Sequence, residues 1–182
     1  TDESQKIQPP HLDNLLQLDG YLGSYKTEIT RRYTCFQKQL SLIEHDEPGG
    51  LDHYTRGYEQ YGVRVQPDGS VHCREWCPGA KQLYLWGEFN NWNREQYPFT
   101  AVGHGKWELT LPANPGGTCP IPHNSIVKLI VVDREGAHLD RLSPWATYVT
   151  RSHDKAVIYD QRLWNPPTEQ RYKFKHPRPP QP

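Results

Sequence analysis

Two tryptophans stand beside turn-forming residues, where an indole is difficult to bury. Trp92 follows two asparagines in the stretch YLWGEFNNWN, and Trp76 precedes Cys77 and Pro78. Asparagine favours turns because its side chain bonds nearby backbone and because it tolerates left-handed backbone. A flat, exposed indole can stack on the apolar face of a pyranose ring, while amide and ammonium groups bond the hydroxyls of the ring. These two positions are the first candidates for a ligand-binding surface.

The alternative role for each tryptophan is packing. Residues 84–89 alternate as a strand does, which places Trp86 beside Tyr84 on one face and predicts that Trp86 is buried. Trp107 heads a second alternating stretch, KWELTLP, and is predicted to lie in the core. Trp92 itself could fold back over the edge of the sheet. The pattern alone does not separate that packing role from stacking on a sugar.

The sequence contains no group of residues that would carry out catalysis. There is no G-x-S-x-G motif and no cysteine beside a histidine that could activate it. Glycosidic chemistry requires two carboxylates on either side of one bond, and Glu135 and Asp140 lie in stretches typical of a hairpin or a strand end. No G-x-x-x-x-G-K-[ST] loop occurs, and GHGKWE is explained as a hairpin turn. We therefore predict no catalytic residue and no cofactor.

The cysteines do not have the spacing of a metal site. They stand at positions 35, 73, 77 and 119. Cys73 and Cys77 lie in one apparent strand and have no clear second pair, so the usual zinc spacings are absent. No N-x-S/T acceptor site, signal peptide or transmembrane run occurs. The sequence predicts reduced thiols, no metal and an intracellular location.

The charge balance argues against a polyanionic partner. Lys plus Arg and Asp plus Glu each number 21, so the formal net charge is zero. A protein that neutralises nucleic-acid phosphates is usually clearly basic. We therefore predict no nucleic-acid partner and no membrane partner, and a neutral ligand fits the composition.

Helical spacing characterises the N-terminal segment, residues 1–50. Leucines between Leu12 and Leu16 indicate a short helix. Apolar residues from Tyr21 to Ile43 then recur at the spacing of an amphipathic helix of about six turns. Pro48, Gly49 and Gly50 are expected to end that helix.

From residue 60 to 162 the apolar pattern changes to a period of two, which indicates strands, and the predicted sandwich domain spans residues 51–162. Turn residues such as Pro67-Asp68-Gly69 separate the alternating stretches. Several short strands at this spacing predict a mainly β fold, an antiparallel immunoglobulin-like β-sandwich preceded by the N-terminal helical segment. The predicted strands are GVRV, SVHCREW, QLYLWGEF, KWELTLP, SIVKLIVVD, HLDRL and KAVIYD.

The two ends of the chain are also informative. Residues 163–182 carry six prolines and predict an extended linker. The chain has no methionine, even at position 1, and it stops at HPRPPQP. We therefore expect a processed product or an excerpt of a longer protein.

Taken in order, seven stretches resemble the N-terminal part of a eukaryotic-type 1,4-α-glucan branching enzyme, from about residue 12 to the end. GEFNNWN alone is similar to α-glucan-binding sandwiches in general, whereas RGYEQYG to REWCPGA and the ending FKHPRPP narrow the resemblance to branching enzymes. The seven stretches are LDHYTRGYEQYGV, REWCPGA, LYLWGEFNNWN, GKWELTLP, IPHNSIVK, DRLSPWATYV and RYKFKHPRPP.

The resemblance implies helices, then a sandwich, then an (α/β)8 barrel. That barrel cuts an α-1,4 link and rejoins the piece as an α-1,6 branch. A barrel needs roughly 250 residues, which this chain does not contain. The nucleophile and the acid of the family sit on barrel strands, so the resemblance supplies no catalytic residue here.

The resemblance implies a sugar-binding surface where the sandwich meets the barrel in the family. His104 stands where the family often has an aromatic residue, and Cys77 stands where it commonly has alanine. The matching positions for this surface are Trp76 and Pro78 in REWCPG, and Gly105 and Lys106 in GHGKWE.

A second, more general site is implied by related glycogen-binding modules. That site uses the tryptophan after FNN, which is Trp92 here, with Asn91 and Lys128 nearby. Branching enzymes do not always use it.

Three functions agree with these observations. The first is a non-catalytic carbohydrate-binding part of a branching enzyme, and the second is a self-standing module that targets glycogen or starch. The third is a protein-interaction sandwich without sugar affinity. The partners implied by the first are α-1,4-glucan (glycogen, starch or malto-oligosaccharides) and the catalytic barrel of the same parent chain. The expected location is the cytoplasm, or a plastid if the source stores starch there.

Overall fold

A computed structural model describes residues 7–151 and 158–180. The chain divides into two compact units, Thr1–Gly57 and Tyr58–Pro182, whereas the boundary predicted from the sequence follows residue 50. The first unit is helical, and the second is built from strands. None of the helices in the described ranges is both long enough and apolar enough to cross a membrane.

A 3₁₀ helix, Gly20–Tyr25, separates the first two α-helices. The predicted helix from Tyr21 is therefore wrong in its first turn. The carboxylate of Asp19 accepts a hydrogen bond from the N–H of Tyr21 at 3.0 Å, which caps a separate, tighter turn. The α-helices of the first unit are α1 (Leu12–Leu18), α2 (Lys26–Asp46) and α3 (Gly50–Thr55).

Helix α3 continues the first unit beyond the predicted stop. Helix α2 does end just before residues 48–50, as the sequence predicts. Gly49 then adopts left-handed backbone, with φ of 91°, which turns the chain. The carboxylate of Glu44 accepts the N–H of Leu51 at 3.1 Å in the first turn of α3. This side-chain bond restarts a helix that the apolar pattern does not predict.

The second unit consists of strands in two antiparallel sheets. In chain order the strands of the described residues are β1 (Gly62–Val65), β2 (Val71–Trp76), β3 (Gln82–Gly87), β4 (Tyr97–Pro98), β5 (Thr100–Gly103), β6 (Lys106–Leu111), β7 (Ile126–Val132), β8 (His138–Arg141), β9 (Val149–Arg151) and β10 (Tyr159–Arg162). The smaller sheet has the order β1-β2-β6-β5. The larger sheet has the order β4-β3-β7-β10-β9, and β8 also pairs with β7.

The two sheets share one apolar core. Val71 and Cys73 of β2 are fully buried from the smaller sheet, and Leu83 and Leu85 of β3 are buried from the larger one. All four belong to the same cluster. Trp107, predicted to be core, is buried in this cluster as well. The mainly β, antiparallel sandwich preceded by a helical segment is therefore confirmed.

A smaller apolar cluster lies on the opposite face of the larger sheet. Trp86 of β3 and Ile130 and Val132 of β7 are buried there, and Tyr84 packs against them. The period of two puts Trp86 on the face opposite to Leu85. The predicted burial of Trp86 is confirmed, although its neighbours lie outside the central core.

Strand β3 ends at Gly87, earlier than the predicted strand QLYLWGEF. The carboxamide oxygen of buried Asn90 accepts the N–H of Gly87 at 3.0 Å, and residues 88–90 form a 3₁₀ turn. A Cβ at Gly87 would lie 2.1 Å from the carbonyl oxygen of Ile126, so this close approach requires glycine. Together these contacts start the turn that carries Trp92.

Three strands, β4, β5 and β9, have no counterpart among the predicted ones. Each is two to four residues long and lies at the edge of its sheet. Because these strands are largely exposed, they need no apolar alternation, and the pattern on which the prediction rests is missing. The predicted strand KAVIYD begins at residues 155–157, outside the described residues, and β10 starts at Tyr159.

Candidate functional site

Trp76 ends β2 on the outer face of the smaller sheet. It is 59% exposed and pairs across the ladder with Lys106 of β6. The indole Nε1–H donates to the carbonyl oxygen of His104 at 3.1 Å. The ring is thus held at one edge while more than half of the side chain remains open, which suits stacking on a ligand ring.

Two turns in close contact support Trp76. The N–H of Cys77 donates to the carbonyl oxygen of Gly105 at 2.7 Å, and the indole N–H of Trp107 donates to the Cys77 carbonyl at 3.1 Å. Gly105 has left-handed backbone, with φ of 75°, and a Cβ there would come within 2.7 Å of Pro78. Residues predicted from two separate segments therefore meet in one place. We call it the first tryptophan surface: Trp76, Pro78, Gly105 and Lys106.

His104 contributes a backbone carbonyl to this surface. Its φ of 51° is left-handed, and its carbonyl is the acceptor for Trp76. Every residue type offers such a carbonyl. The departure from the family pattern at His104 therefore leaves this contact in place. Lys106 is half-buried.

A buried carboxyl group lies on the inner face, directly before Trp76 in the chain. Glu75 is 3% exposed and pairs with Trp107 across the ladder. Burial raises the pKa of Glu75 to about 7, although a hydrogen bond from Ser143 lowers it in part. Oε1 of Glu75 has no hydrogen-bond partner among the described residues. The group therefore influences the stability of the sheet beneath Trp76, and it does not face a ligand.

Trp92 lies on the turn that follows β3. Asn91 and Trp92 both have left-handed backbone, with φ of 51° and 60°, and the N–H of Trp92 donates to the Gly87 carbonyl at 2.9 Å. The Trp92 ring meets Trp86 edge-to-face, with 5.0 Å between ring centroids. Trp92 is 39% exposed. It packs against the sheet and also keeps an open part.

Arg94 covers the neighbouring tryptophan. Its guanidinium carbon lies 4.3 Å from the ring centroid of Trp86, a distance at which a cation is attracted to an indole. Asp140 holds the guanidinium through two contacts, at 2.5 and 3.4 Å. The face of Trp86 under Arg94 is therefore closed to a ligand.

Lys128 lies across the ladder from Trp86. Its ammonium group is 3.0 Å from a carboxylate oxygen of Asp160, and the two side chains are 21% and 15% exposed. Lys128 is thus already paired within the fold. We call this region the second tryptophan surface: Trp86, Asn91, Trp92, Arg94 and Lys128.

The structure brings the predicted site residues together in two groups, one on each sheet. Sequence reasoning missed Arg94 and Asp160, which limit access to the second tryptophan surface. Arg94 stands two residues after Trp92, and this nearness was the available signal. Asp160 has no local signal, because its contact with Lys128 arises from the pairing of β7 with β10.

The described residues offer no evident metal site. Within residues 7–151 and 158–180, no group of three or more His, Cys, Asp or Glu side chains could hold an ion. The four cysteines are free thiols. Burial raises the pKa of the Cys73 thiol, and the nearby charge of Glu75 raises this pKa further by a smaller amount. Cys73 therefore stays protonated, which makes it a poor nucleophile and a poor metal ligand.

Residues 60–146 match the family described as carbohydrate-binding module 48, isoamylase N-terminal domain. A 1,4-alpha-glucan-branching enzyme of Equus caballus is 43% identical over 173 residues, which are 95% of this chain and 24% of the relative. Its counterpart in Aspergillus oryzae is 36% identical over 182 residues, 100% of this chain and 26% of the relative.

A plant relative extends the comparison. A 1,4-alpha-glucan-branching enzyme 1, chloroplastic/amyloplastic, of Pisum sativum is 36% identical over 169 residues, 92% of this chain and 20% of the relative. The chain thus spans between 20% and 26% of the length of these curated relatives. Residues 60–146 thus match a carbohydrate-binding module 48, and over 92% to 100% of its length the chain is similar to animal, fungal and plant proteins named 1,4-alpha-glucan-branching enzyme.

Proposed function

We propose that this chain binds α-1,4-glucan through the first tryptophan surface. The observation that carries the proposal is Trp76, whose indole is fixed by the His104 carbonyl and is still 59% exposed. A ring that is already oriented loses little freedom on binding, so less of the stacking energy is offset. The description of the matching family as a carbohydrate-binding module supports a sugar as the ligand.

The expected affinity follows from the size of the surface. One or two indoles cover only a couple of glucose units, and a flexible glucan chain loses freedom when it is held. We expect a dissociation constant on the order of 1 mM for linear malto-oligosaccharides, about −4 kcal/mol. Polymeric glycogen presents many chain ends, so its apparent affinity should be higher. The formal net charge of zero agrees with a neutral ligand.

Native affinity gels test the proposal. The 182-residue chain is run in gels cast with increasing glycogen, and gels cast with dextran, an α-1,6-linked glucan, are the matched control. We expect retardation that grows with glycogen and saturates, with little retardation by dextran. A chain that is folded by circular dichroism and migrates equally with and without glycogen contradicts the proposal. That result favours a protein-interaction sandwich without sugar affinity.

The second tryptophan surface is a further candidate for α-glucan binding. The open part of Trp92, beside Asn91, supports it. Arg94 covers the ring of Trp86, and Asp160 pairs with Lys128. The open indole of this surface, Trp92, is 39% exposed, against 59% for Trp76 of the first surface. We therefore propose that its contribution to binding is the smaller of the two.

We further propose that the chain acts as a non-catalytic part of a 1,4-α-glucan branching enzyme. The names of the relatives and their four- to fivefold greater length, of which the chain spans 20% to 26%, support this role. The partner in such a protein is a catalytic (α/β)8 barrel, and the substrate is glycogen or starch. The compartment is that of the polymer, the cytoplasm or, as the name of the pea relative indicates for that protein, a plastid.

Two observations test this wider role. Incubation of amylose with the purified chain should leave the colour of its iodine complex unchanged, and a shift would contradict a non-catalytic part. The competing function is a self-standing module that targets glycogen or starch. Sequencing of the gene beyond Pro182 separates the two, because a stop codon there favours the self-standing module and an in-frame barrel favours the proposal.

A further inference from the structure

A groove of about 590 Å³ lies in the second unit, away from both tryptophan surfaces. Residues 63–65 of β1 form one wall of the groove. The other lining residues are 145, 147 and members of the segment 161–174, which begins in β10. A volume of this size is within the range of small-molecule sites. No residue of the first or the second tryptophan surface lines the groove, so any ligand there would be held by a separate set of side chains.

Among the described residues, three guanidinium groups and no carboxylate line the groove. Each guanidinium has five N–H donors and uses two of them on neutral oxygen atoms of the fold. None has a carboxylate partner among the described residues. Within the described part of the chain, the positive charges are therefore oriented and have no acid that neutralises them. The donors are Arg64, to the Tyr58 and Tyr61 carbonyls; Arg162, to the Thr150 hydroxyl and the Asn124 carbonyl; and Arg171, to the Pro166 carbonyl and the Asn165 amide oxygen.

Aromatic rings with defined orientations stand among these charges. Trp164 is 57% exposed, and its ring meets His123 and Tyr148 edge-on, with centroid distances of 4.7 and 5.0 Å. Trp145 is stacked on Tyr61 at 5.1 Å. Trp164 thus resembles Trp76 of the first tryptophan surface, because its indole is oriented by neighbouring side chains and remains more than half exposed.

From this combination we propose that the groove binds a phosphate monoester carried on a glucose unit. A phosphate monoester has a charge of about −1.5 to −2 at neutral pH and three acceptor oxygens, which the planar fork of arginine matches in pairs. Trp164 supplies a platform for the pyranose ring. The amides of Asn165 and Gln170, which also line the groove, can bond its hydroxyls. The sugar part of this inference rests on the proposed function, whereas the phosphate part rests on the arginines.

A titration with small probes tests the groove directly. The indole N–H signals of the 182-residue chain are followed by NMR during addition of glucose 6-phosphate, glucose, inorganic phosphate or adenosine monophosphate, and the Trp164 signal is assigned with Trp164→Phe. We expect glucose 6-phosphate to shift this signal and to bind at least about tenfold more tightly than glucose or inorganic phosphate, because only glucose 6-phosphate engages both parts of the groove.

A maltoheptaose that carries a phosphate distinguishes the two possible sources of the phosphorylated glucose unit. Tighter binding of this oligosaccharide indicates a phosphorylated glucan, tighter binding of glucose 6-phosphate indicates a free metabolite, and either result supports the proposal.

Matched variants connect that binding to the arginines. Arg171→Gln removes one exposed guanidinium and should weaken binding of glucose 6-phosphate at least about tenfold, as expected for a lost charged hydrogen bond. Arg134→Gln removes the same charge from an exposed turn outside the groove and should leave the affinity unchanged. Equal losses in both variants, each folded by circular dichroism, would show general attraction of an anion and would overturn the proposal.

The remaining outcomes separate this inference from the proposed function. Equal binding of glucose 6-phosphate and inorganic phosphate, or of glucose 6-phosphate and adenosine monophosphate, overturns recognition of a phosphorylated sugar. No binding of glucose 6-phosphate by a chain that glycogen still retards overturns the groove and leaves the first tryptophan surface standing. Binding of glucose 6-phosphate without retardation by glycogen supports the groove and overturns glucan binding by the first tryptophan surface.

Discussion

The two tryptophan surfaces are built from similar parts and differ in what covers them. On each surface a lysine lies across the ladder from a tryptophan, Lys106 from Trp76 and Lys128 from Trp86. Trp76 is held at its edge by a backbone carbonyl and stays 59% exposed. Trp86 is buried under the guanidinium of Arg94. The same pair of residue types therefore gives an open platform on one sheet, whereas on the other sheet Arg94 and the neighbours that pack against Trp86 close it.

The surfaces differ in a second respect, the chemistry of the buried atoms near them. Two buried side-chain atoms in the described ranges lack a hydrogen-bond partner, Oε1 of Glu75 and Nε1 of Trp86. Each such atom costs about 1 to 3 kcal/mol. Glu75 is ionisable, whereas an indole N–H is not, so only the sheet beneath the first surface should respond to pH near neutrality.

The largest expected effect is that of Trp76→Ala on retention by glycogen. Removal of the only open indole of the first tryptophan surface should abolish measurable retardation in the affinity gel, a loss of at least about 30-fold, or about 2 kcal/mol, which is the size of a binding hot spot. Because Trp76 is already exposed, the variant should remain folded.

The matched control for this change is Trp164→Ala, which removes another half-exposed indole of the second unit from a place outside both tryptophan surfaces. It should keep its retention by unphosphorylated glycogen. Retention of folded Trp76→Ala at the wild-type level would contradict the assignment of this surface.

The next effect concerns Glu75→Gln and the pH dependence of stability. The folded-state pKa of Glu75, about 7, lies above the ordinary glutamate value of 4.5, so the folded protein holds the proton more tightly than the unfolded chain. The stability from the protonated carboxyl is fully present below pH 4.5 and is lost as pH rises to about 7, about 3 kcal/mol in total. The glutamine amide of Glu75→Gln also lacks some of its hydrogen bonds at this site. We therefore expect the variant to unfold with a free energy about 1 to 2 kcal/mol higher than that of wild type at pH 8.

Urea unfolding between pH 5 and pH 8 measures this effect. Tryptophan fluorescence reports on the second unit, because all six tryptophans lie in it. The unfolding free energy of wild type should fall over this range, and that of Glu75→Gln should change much less. Glu135→Gln, which alters an exposed carboxylate in a turn, should follow wild type. Parallel profiles for wild type and Glu75→Gln would contradict a titrating Glu75.

Sequence patterns predict the sandwich because its interior faces are strictly periodic. The alternation of Val71 and Cys73 in β2 and of Leu83 and Leu85 in β3 marks which residues are buried. Interruptions made by single side chains follow no such period. The bond of Asn90 to the end of β3 is one example, and the tight turn capped by Asp19 is another.

In the candidate sites, too, residues that belong to a sequence motif are predicted, whereas contacts between distant residues are not. Gly105 and Pro78 were matched to Trp76 through family motifs, and the required contact between the two turns explains why such residues occur there. The cover on Trp86 has no comparable motif. Arg94 is held by Asp140, 46 residues away in the chain, and this contact depends on how β3, β7 and β8 are paired. Neither composition nor spacing contains that information.

A smaller effect is expected when the cover is removed. In a Trp76→Ala background, Arg94→Ala should expose the face of Trp86 and restore part of the retention by glycogen. The gain should be about fivefold over Trp76→Ala alone, or about 1 kcal/mol, comparable to the cation–π contact that no longer competes with the ligand.

Arg134→Ala in the same background is the matched control, since it removes an arginine from an exposed turn without uncovering an indole. No gain from Arg94→Ala, or the same gain from both changes, would show that Arg94 does not control access to the second tryptophan surface.

The smallest effect on binding is expected for Trp92→Ala in the wild-type background. The Trp92 ring supports Trp86 through an edge-to-face contact, and such pairs contribute about 0.5 to 1.5 kcal/mol. We therefore expect a loss of about 1 kcal/mol in the free energy of unfolding and a loss of less than about threefold in retention. In the Arg94→Ala background the loss of retention should become larger, because Trp92 then borders an open platform. Trp92→Phe, which keeps an aromatic edge, should recover most of the stability in both backgrounds.

Affinity gels of these variants measure the effect on retention, and urea unfolding measures the effect on stability. If Trp92→Ala reduced retention more than Trp76→Ala did, with both proteins folded, the order of the two surfaces would be reversed. If both folded variants were retained like wild type, neither tryptophan would be a sugar platform.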